Sequence, residues 1–130
     1  MSSADFKAAS KADLIRASLN KTLGLRRALA IDELASRALA DPTLRTAACV
    51  AISSDRRMGD HAGPPLGWLG ADRIYLAGRS ELMSSLLKAM DQWSALEQGD
   101  LMIHWVGAQG VDALAAEFEQ TYGWRAKSAG

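Results

Sequence analysis

A single cysteine, Cys49, leaves the chain nothing to pair with internally, so no disulfide is expected and a reducing, cytoplasmic setting follows. No apolar run approaches the ~20 residues that a membrane span needs, so no membrane partner is expected. The first residues, MSSADFKAASKADLIR, mix charges of both signs without an apolar stretch, and no secretory leader is expected. Net charge is also missing: 15 Lys and Arg balance 15 Asp and Glu. That balance removes any whole-molecule attraction to nucleic acid.

The motifs of common chemistries are lacking too. A phosphate loop of the form G-x-x-x-x-G-K-[ST] is absent, as are G-x-G-x-x-G and the nucleophile elbow G-x-S-x-G. His61 and His104 stand far apart in sequence and Cys49 is alone, so zinc-ligand spacing is not met. No metal, no cofactor and no catalytic residue is therefore assigned. Cys49 and His104 could form a nucleophile and base. Both sit in apolar stretches, however, where a buried thiol is an inert small hydrophobe. His104, between Ile103 and Trp105, reads as a hydrogen-bonded core or interface histidine.

What is present is a globular composition, 48% hydrophobic and 23% charged over 130 residues, which fits one domain spanning 1–130. Residues 1–9 read as a flexible N-terminus and 10–41 as a helical part. Ser10 and Asp13 mark a helix start, Gly24 a break, and Asp41-Pro42 an end. From 45 to 127 the pattern reads as an α/β core. TAACVAIS (46–53), RIYLAG (73–78) and LMIHWV (101–106) are short apolar runs with the look of buried strands. Between and after them lie two amphipathic helices. One is capped by Ser80 with Leu82, Met83, Leu86, Leu87, Met90 and Trp93 on one face and Gly99 as its stop. The other runs from Val111 through Leu114, Ala115 and Phe118 to Tyr122, stopped by Gly123. The expected fold is a small three- to four-stranded, largely parallel sheet with βαβ units, a further short strand near 124–127, and an N-terminal helical hairpin.

From Ala47 to Leu114 the order of features resembles the middle of degenerate, nucleotide-free RecA-like domains of the SulA cell-division-inhibitor type. A small-residue strand, AACVAIS, precedes a loop leading to LGADRIYLAG; a helix ending AMDQWSALEQGD then precedes LMIHWV. The chain departs from nucleotide-binding members in lacking the phosphate loop and any acidic residue for magnesium beside His104-Trp105. What the resemblance implies is a sheet-based scaffold that binds another protein, with ATPase activity in doubt.

The longest irregular stretch, SSDRRMGDHAGPPLGWLG, follows the first apolar run and reads as the business end of the molecule. Asp55, Arg56, Arg57, Asp60, His61 and Trp68 are its candidate interaction residues. Arg79 and His104 join them because ligands of parallel sheets sit beyond the strand carboxyl ends, here Ser53–Arg57, Gly78–Ser80 and Gly107–Gln109. Four Trp against two Phe and two Tyr is a surplus of the residue most enriched in binding hot spots. Charge divides unevenly: residues 1–57 hold ten Lys/Arg against six Asp/Glu, and residues 58–130 hold five against nine. The expected function is a non-catalytic protein-binding module, an inhibitor or adaptor of another macromolecule. One alternative is a small enzyme or nucleotide- or anion-binding domain using Asp55, Arg57, His61, Arg79 and His104 at the strand ends. Another is DNA binding through the basic N-terminal helices, around Lys21, Arg26, Arg27 and Arg37. Nucleic acid is possible as a partner but not favoured.

Overall fold

Several helical segments of this chain begin where a short polar side chain accepts a backbone amide. Ser10 Oγ accepts from the Asp13 amide at 3.2 Å, Asn20 Oδ1 from Thr22 at 3.1 Å, and Asp41 Oδ1 from Thr43 at 3.0 Å. The computed structural model describes residues 3–54, 65–107, 109–125 and 127, and among them every regular element is helical. In chain order these are α1 Ser3–Ala8, α2 Lys11–Leu19, α3 Arg27–Ala38, α4 Arg45–Ser53, α5 Gly67–Ala77, α6 Ser80–Ala89, α7 Ala95–Val106 and α8 Val111–Tyr122. Tight 3-10 turns at Lys21–Arg26, Pro42–Leu44 and Met90–Gln92 link some of them. Among the described residues, no helix is long and apolar enough to cross a membrane.

The expected parallel sheet is corrected: the described residues contain no strand. Residues 46–53 lie in α4, 73–77 in α5 and 101–106 in α7, with Gly78 as the left-handed cap of α5. The sheet implied by the RecA-like resemblance is absent from these residues for the same reason. A short apolar run is equally compatible with a buried strand and a buried helix, and its flanks decide. In α7 the deciding flank is Ser94. Its hydroxyl accepts the Glu97 amide while the Glu97 carboxylate accepts the Ser94 amide, a capping box that starts a new helix immediately after Trp93. Gly99, read as a helix stop, therefore lies inside α7. Gln98, Leu101 and Met102 are its buried side, spaced as a helix requires.

The core is organised on α3, whose Ala30, Ile31, Leu34, Ala35 and Ala38 are all buried. α1, α2, α4 and α5 pack against it. Gly70 sets the closest approach. A Cβ there would lie 2.9 Å from both Ile31 Cγ2 and Ile52 Cγ1, inside the radius of any real contact. α5 thus nestles between α3 and α4 only because position 70 has no side chain. α6 presents Leu82, Met83, Leu86 and Leu87 to α4 and α8, the buried face expected from its spacing. Trp93, just past the 3-10 turn that follows this helix, is fully buried, and its indole N–H donates to the Ser53 carbonyl at 2.9 Å. α7 and α8 form a final hairpin, turned at Gly107 and closed at Gly123, where φ of 72° suits glycine.

Candidate functional site

α5 has two working sides. Gly67, Gly70, Ala71 and Ile74 form the buried stripe of the helix. Rotated from it, Trp68, Asp72 and Tyr75 recur at i, i+4 and i+7 and meet α7. There the Asp72 carboxylate gathers two ring donors. His104 Nε2 lies 2.9 Å from Oδ2 and 3.1 Å from Oδ1, and the Trp105 indole N–H donates to Oδ1 at 3.0 Å. A carboxylate oxygen accepts, so His104 Nε2 is the donor of this contact. Both side chains remain about one-third exposed, 35% for His104 and 33% for Asp72.

Aromatic rings frame this pair. Trp68 leans over His104 at 4.8 Å between ring centroids. Tyr75 stacks on Trp105 at 5.0 Å, and Trp105 stacks on Phe118 of α8 at 5.4 Å. Burial and the Glu117 carboxylate push the Tyr75 phenol above its ordinary pKa, so it stays a neutral donor at physiological pH. The Trp68 indole nitrogen is buried and has no hydrogen-bond partner among the described residues.

The pair is an oriented imidazole without a nucleophile. Among the described residues, no hydroxyl or thiol is hydrogen-bonded to His104, and no three His, Cys, Asp or Glu side chains cluster as metal ligands would. Cys49 is buried on α4, where desolvation pushes its thiol up to about 11, and it is not in thiolate form at neutral pH. What the arrangement can do is present a partly exposed polar and aromatic surface.

Of the residues singled out from sequence, the structure brings together Trp68 and His104. Trp68 sits in the first turn of α5 rather than in a loop. Arg79 is elsewhere: it precedes α6 and its Nε donates to Glu81 at 3.3 Å, so that helix start is already served by an internal carboxylate. Asp55, Arg56, Arg57, Asp60 and His61 lie outside the described residues. Asp72, Tyr75 and Trp105 were missed. Reading GWLGADRIYLA as a helix exposes the Trp68–Asp72–Tyr75 spacing at once; reading RIYLAG as a strand hides it. The strand-end position proposed for ligands has no counterpart here, because the strands are helices.

No protein-family model, curated protein or solved structure matches the chain.

Proposed function

We propose that this chain is a non-catalytic protein-binding module, an inhibitor or adaptor working in the cytoplasm, and that its contact surface is the outward side of α5. The observation that carries this reading is the exposure of Leu76, 81%, and Leu69, 44%, seven residues apart on that helix. Two turns apart, they share one side, next to the half-exposed Asp72 and His104. Single exposed leucines are ordinary on protein surfaces. A pair on one helix side, beside an aromatic and a hydrogen-bonding pair already held in place, offers both the apolar anchor and the polar rim of a binding site. The free, buried Cys49 accords with a reducing compartment.

The test is quantitative capture from native lysate with the wild-type chain, Leu76→Asp and Leu69→Asp. A partner held in stoichiometric amount by the wild type and lost from both variants is the expected result. Recovery of no partner, or equal recovery by the variants, overturns the reading. Stabilisation of the purified chain by a nucleotide or metabolite, seen as a thermal shift at saturating ligand, would favour an enzyme or small-molecule-binding domain instead.

A further inference from the structure

Two other surfaces of the molecule match each other in charge and in exposed apolar side chains. Residues 7–27 carry six Lys or Arg against one acid, whereas residues 95–122 carry five acids and neither Lys nor Arg. In the folded chain some of this charge is already used. Lys11 pairs with Asp41 at 2.7 Å, Arg16 pairs with Asp13, and Arg27 is buried with Nη1 donating to the Ser18 carbonyl at 3.0 Å. Lys21 and Arg26, at either end of the 3-10 turn, form no ion pair among the described residues. On the opposite sign, Asp100 and Asp112 form none either.

Both places also expose leucine-sized side chains. The turn Lys21–Arg26 buries none of its residues, and Gly24 breaks it at φ 59°, ψ −133°. Leu25 is 61% exposed there, and Leu19 just before it is 44% exposed. On α7, Leu96 is 73% and Ile103 47% exposed. With Asp100 between them at i+4 and i+7, they make an apolar–acidic–apolar stripe on the solvent side of the helix. The basic corner packs on α3 and the acidic hairpin on α6, so the two belong to different parts of the fold.

We infer that this chain associates with a second copy of itself head to tail, the Leu19–Lys21–Leu25–Arg26 corner of one copy docking on the Leu96–Asp100–Ile103 stripe of the next. The occupant is set by complementarity in both respects: two apolar side chains against two, flanked by free cations against a free carboxylate. Because the two faces differ, the contact is heterologous. It leaves one unused face at each end and grows by addition unless the rotation closes a ring. Salt weakens it, since Lys21, Arg26 and Asp100 lie at the surface. It uses neither Leu69 nor Leu76, so it stands or falls independently of the α5 reading.

Sedimentation velocity of the wild type across concentration and salt, with two variants, tests it. Leu25→Asp/Arg26→Glu breaks the basic corner and Leu96→Asp/Asp100→Lys breaks the acidic stripe. These are exposed positions, and circular dichroism verifies that each variant is helical. The wild type is expected to grow in mass with concentration and to shrink in high salt. Each variant alone is expected to need at least about tenfold more protein to associate. Mixed together they retain one intact face each and are expected to form a 1:1 dimer that grows no further. A wild type that stays monomeric overturns the inference, as does a mixture that fails to dimerise. Loss of association in the α7 variant alone would mean symmetric pairing through that stripe and would overturn it equally. Should a variant lose its helical signal, Lys21→Gln and Asp100→Asn as single charge removals, alone and mixed, give the same readout.

Discussion

The two sides of α5 are held by opposite means. Toward α3 and α4 the helix fits by being small: Gly70 lets the backbone close onto Ile31 and Ile52, with Ala71 and Ile74 fully buried beside it. Only at the edge does a charged link add to this, where Arg73 reaches Asp32 at 2.5 Å. Toward α7 the spacing is bridged by long side chains, with Asp72 binding His104 and Trp105, and Tyr75 stacking on Trp105. Shape secures most of the first junction, and any added atom is felt directly. The second depends on directional bonds in a half-wet setting, where water can replace part of what is lost. The lesson is that the junction beside the proposed contact surface is the softer of the two.

The sharpest way to break this contrast is at Gly70. Gly70→Val places branched carbon against two β-branched isoleucines and is expected to cost about 3 kcal/mol in urea unfolding. Gly70→Ala should cost less, about 1 kcal/mol, because alanine's better helix propensity offsets part of the clash. Cys49 gives an independent readout. Its thiol, raised to about 11 by burial, should label slowly in the native state. Gly70→Val should speed labelling by about a hundredfold when reaction proceeds through opening of the fold. An unchanged urea midpoint in Gly70→Val would mean that α5 does not depend on this close approach.

A smaller effect is expected at the other junction. Asp72→Ala removes the acceptor of both ring donors and should cost about 1–2 kcal/mol, with a red shift of tryptophan emission as Trp105 meets water. His104→Ala removes one donor while leaving Trp105 paired, and should cost less. If the two junctions are as separate as their chemistry suggests, Asp72→Ala and Gly70→Ala add within about 0.5 kcal/mol in the double variant. Strong coupling would show that α5 moves as one body between both neighbours.

The smallest effect concerns acid stability near the N-terminal helices. Bonds from the Lys11 ammonium, and then from the Thr43 side chain and amide, hold the Asp41 carboxyl at about 2, below its ordinary 3.8. A depressed folded-state pKa stabilises the fold above the ordinary value and loses that contribution as the pH falls through the depressed one. The Tm should therefore fall from pH 3.8 toward about 2, and Asp41→Asn should remove that part of the decline. An identical acid profile in the variant would remove Asp41 from the account.

Local signals in the chain were legible where they act within one turn or one helix face. The Ser10 cap, the end at Asp41-Pro42, the buried face from Leu82 to Trp93 and the stop at Gly123 can each be read from neighbouring residues, because caps and stripes are properties of short segments. The apolar runs TAACVAIS, RIYLAG and LMIHWV were not decidable in this way. Their residues suit a buried strand as well as a buried helix, and the choice rests on what surrounds them. For LMIHWV the evidence lay in Ser94 and Glu97, a helix start just upstream that outranks Gly99 as punctuation. For RIYLAG it lay in tertiary contact: Gly67, Gly70 and Ala71 just upstream look like a weak helix until Gly70 is seen against Ile31 and Ile52, where smallness is the requirement.

By itself, then, the sequence determined one unpaired cysteine, two of the amphipathic helical faces and the division of charge, since composition and short-range periodicity carry all of these. Only the tertiary structure decided that the apolar runs are helices and that Asp72, His104 and Trp105 meet. That meeting joins residues more than thirty positions apart. Which distant side chains share a junction depends on how closely two helices can approach. In this molecule that distance is set by a missing side chain at Gly70 on one side of α5 and by three long ones on the other.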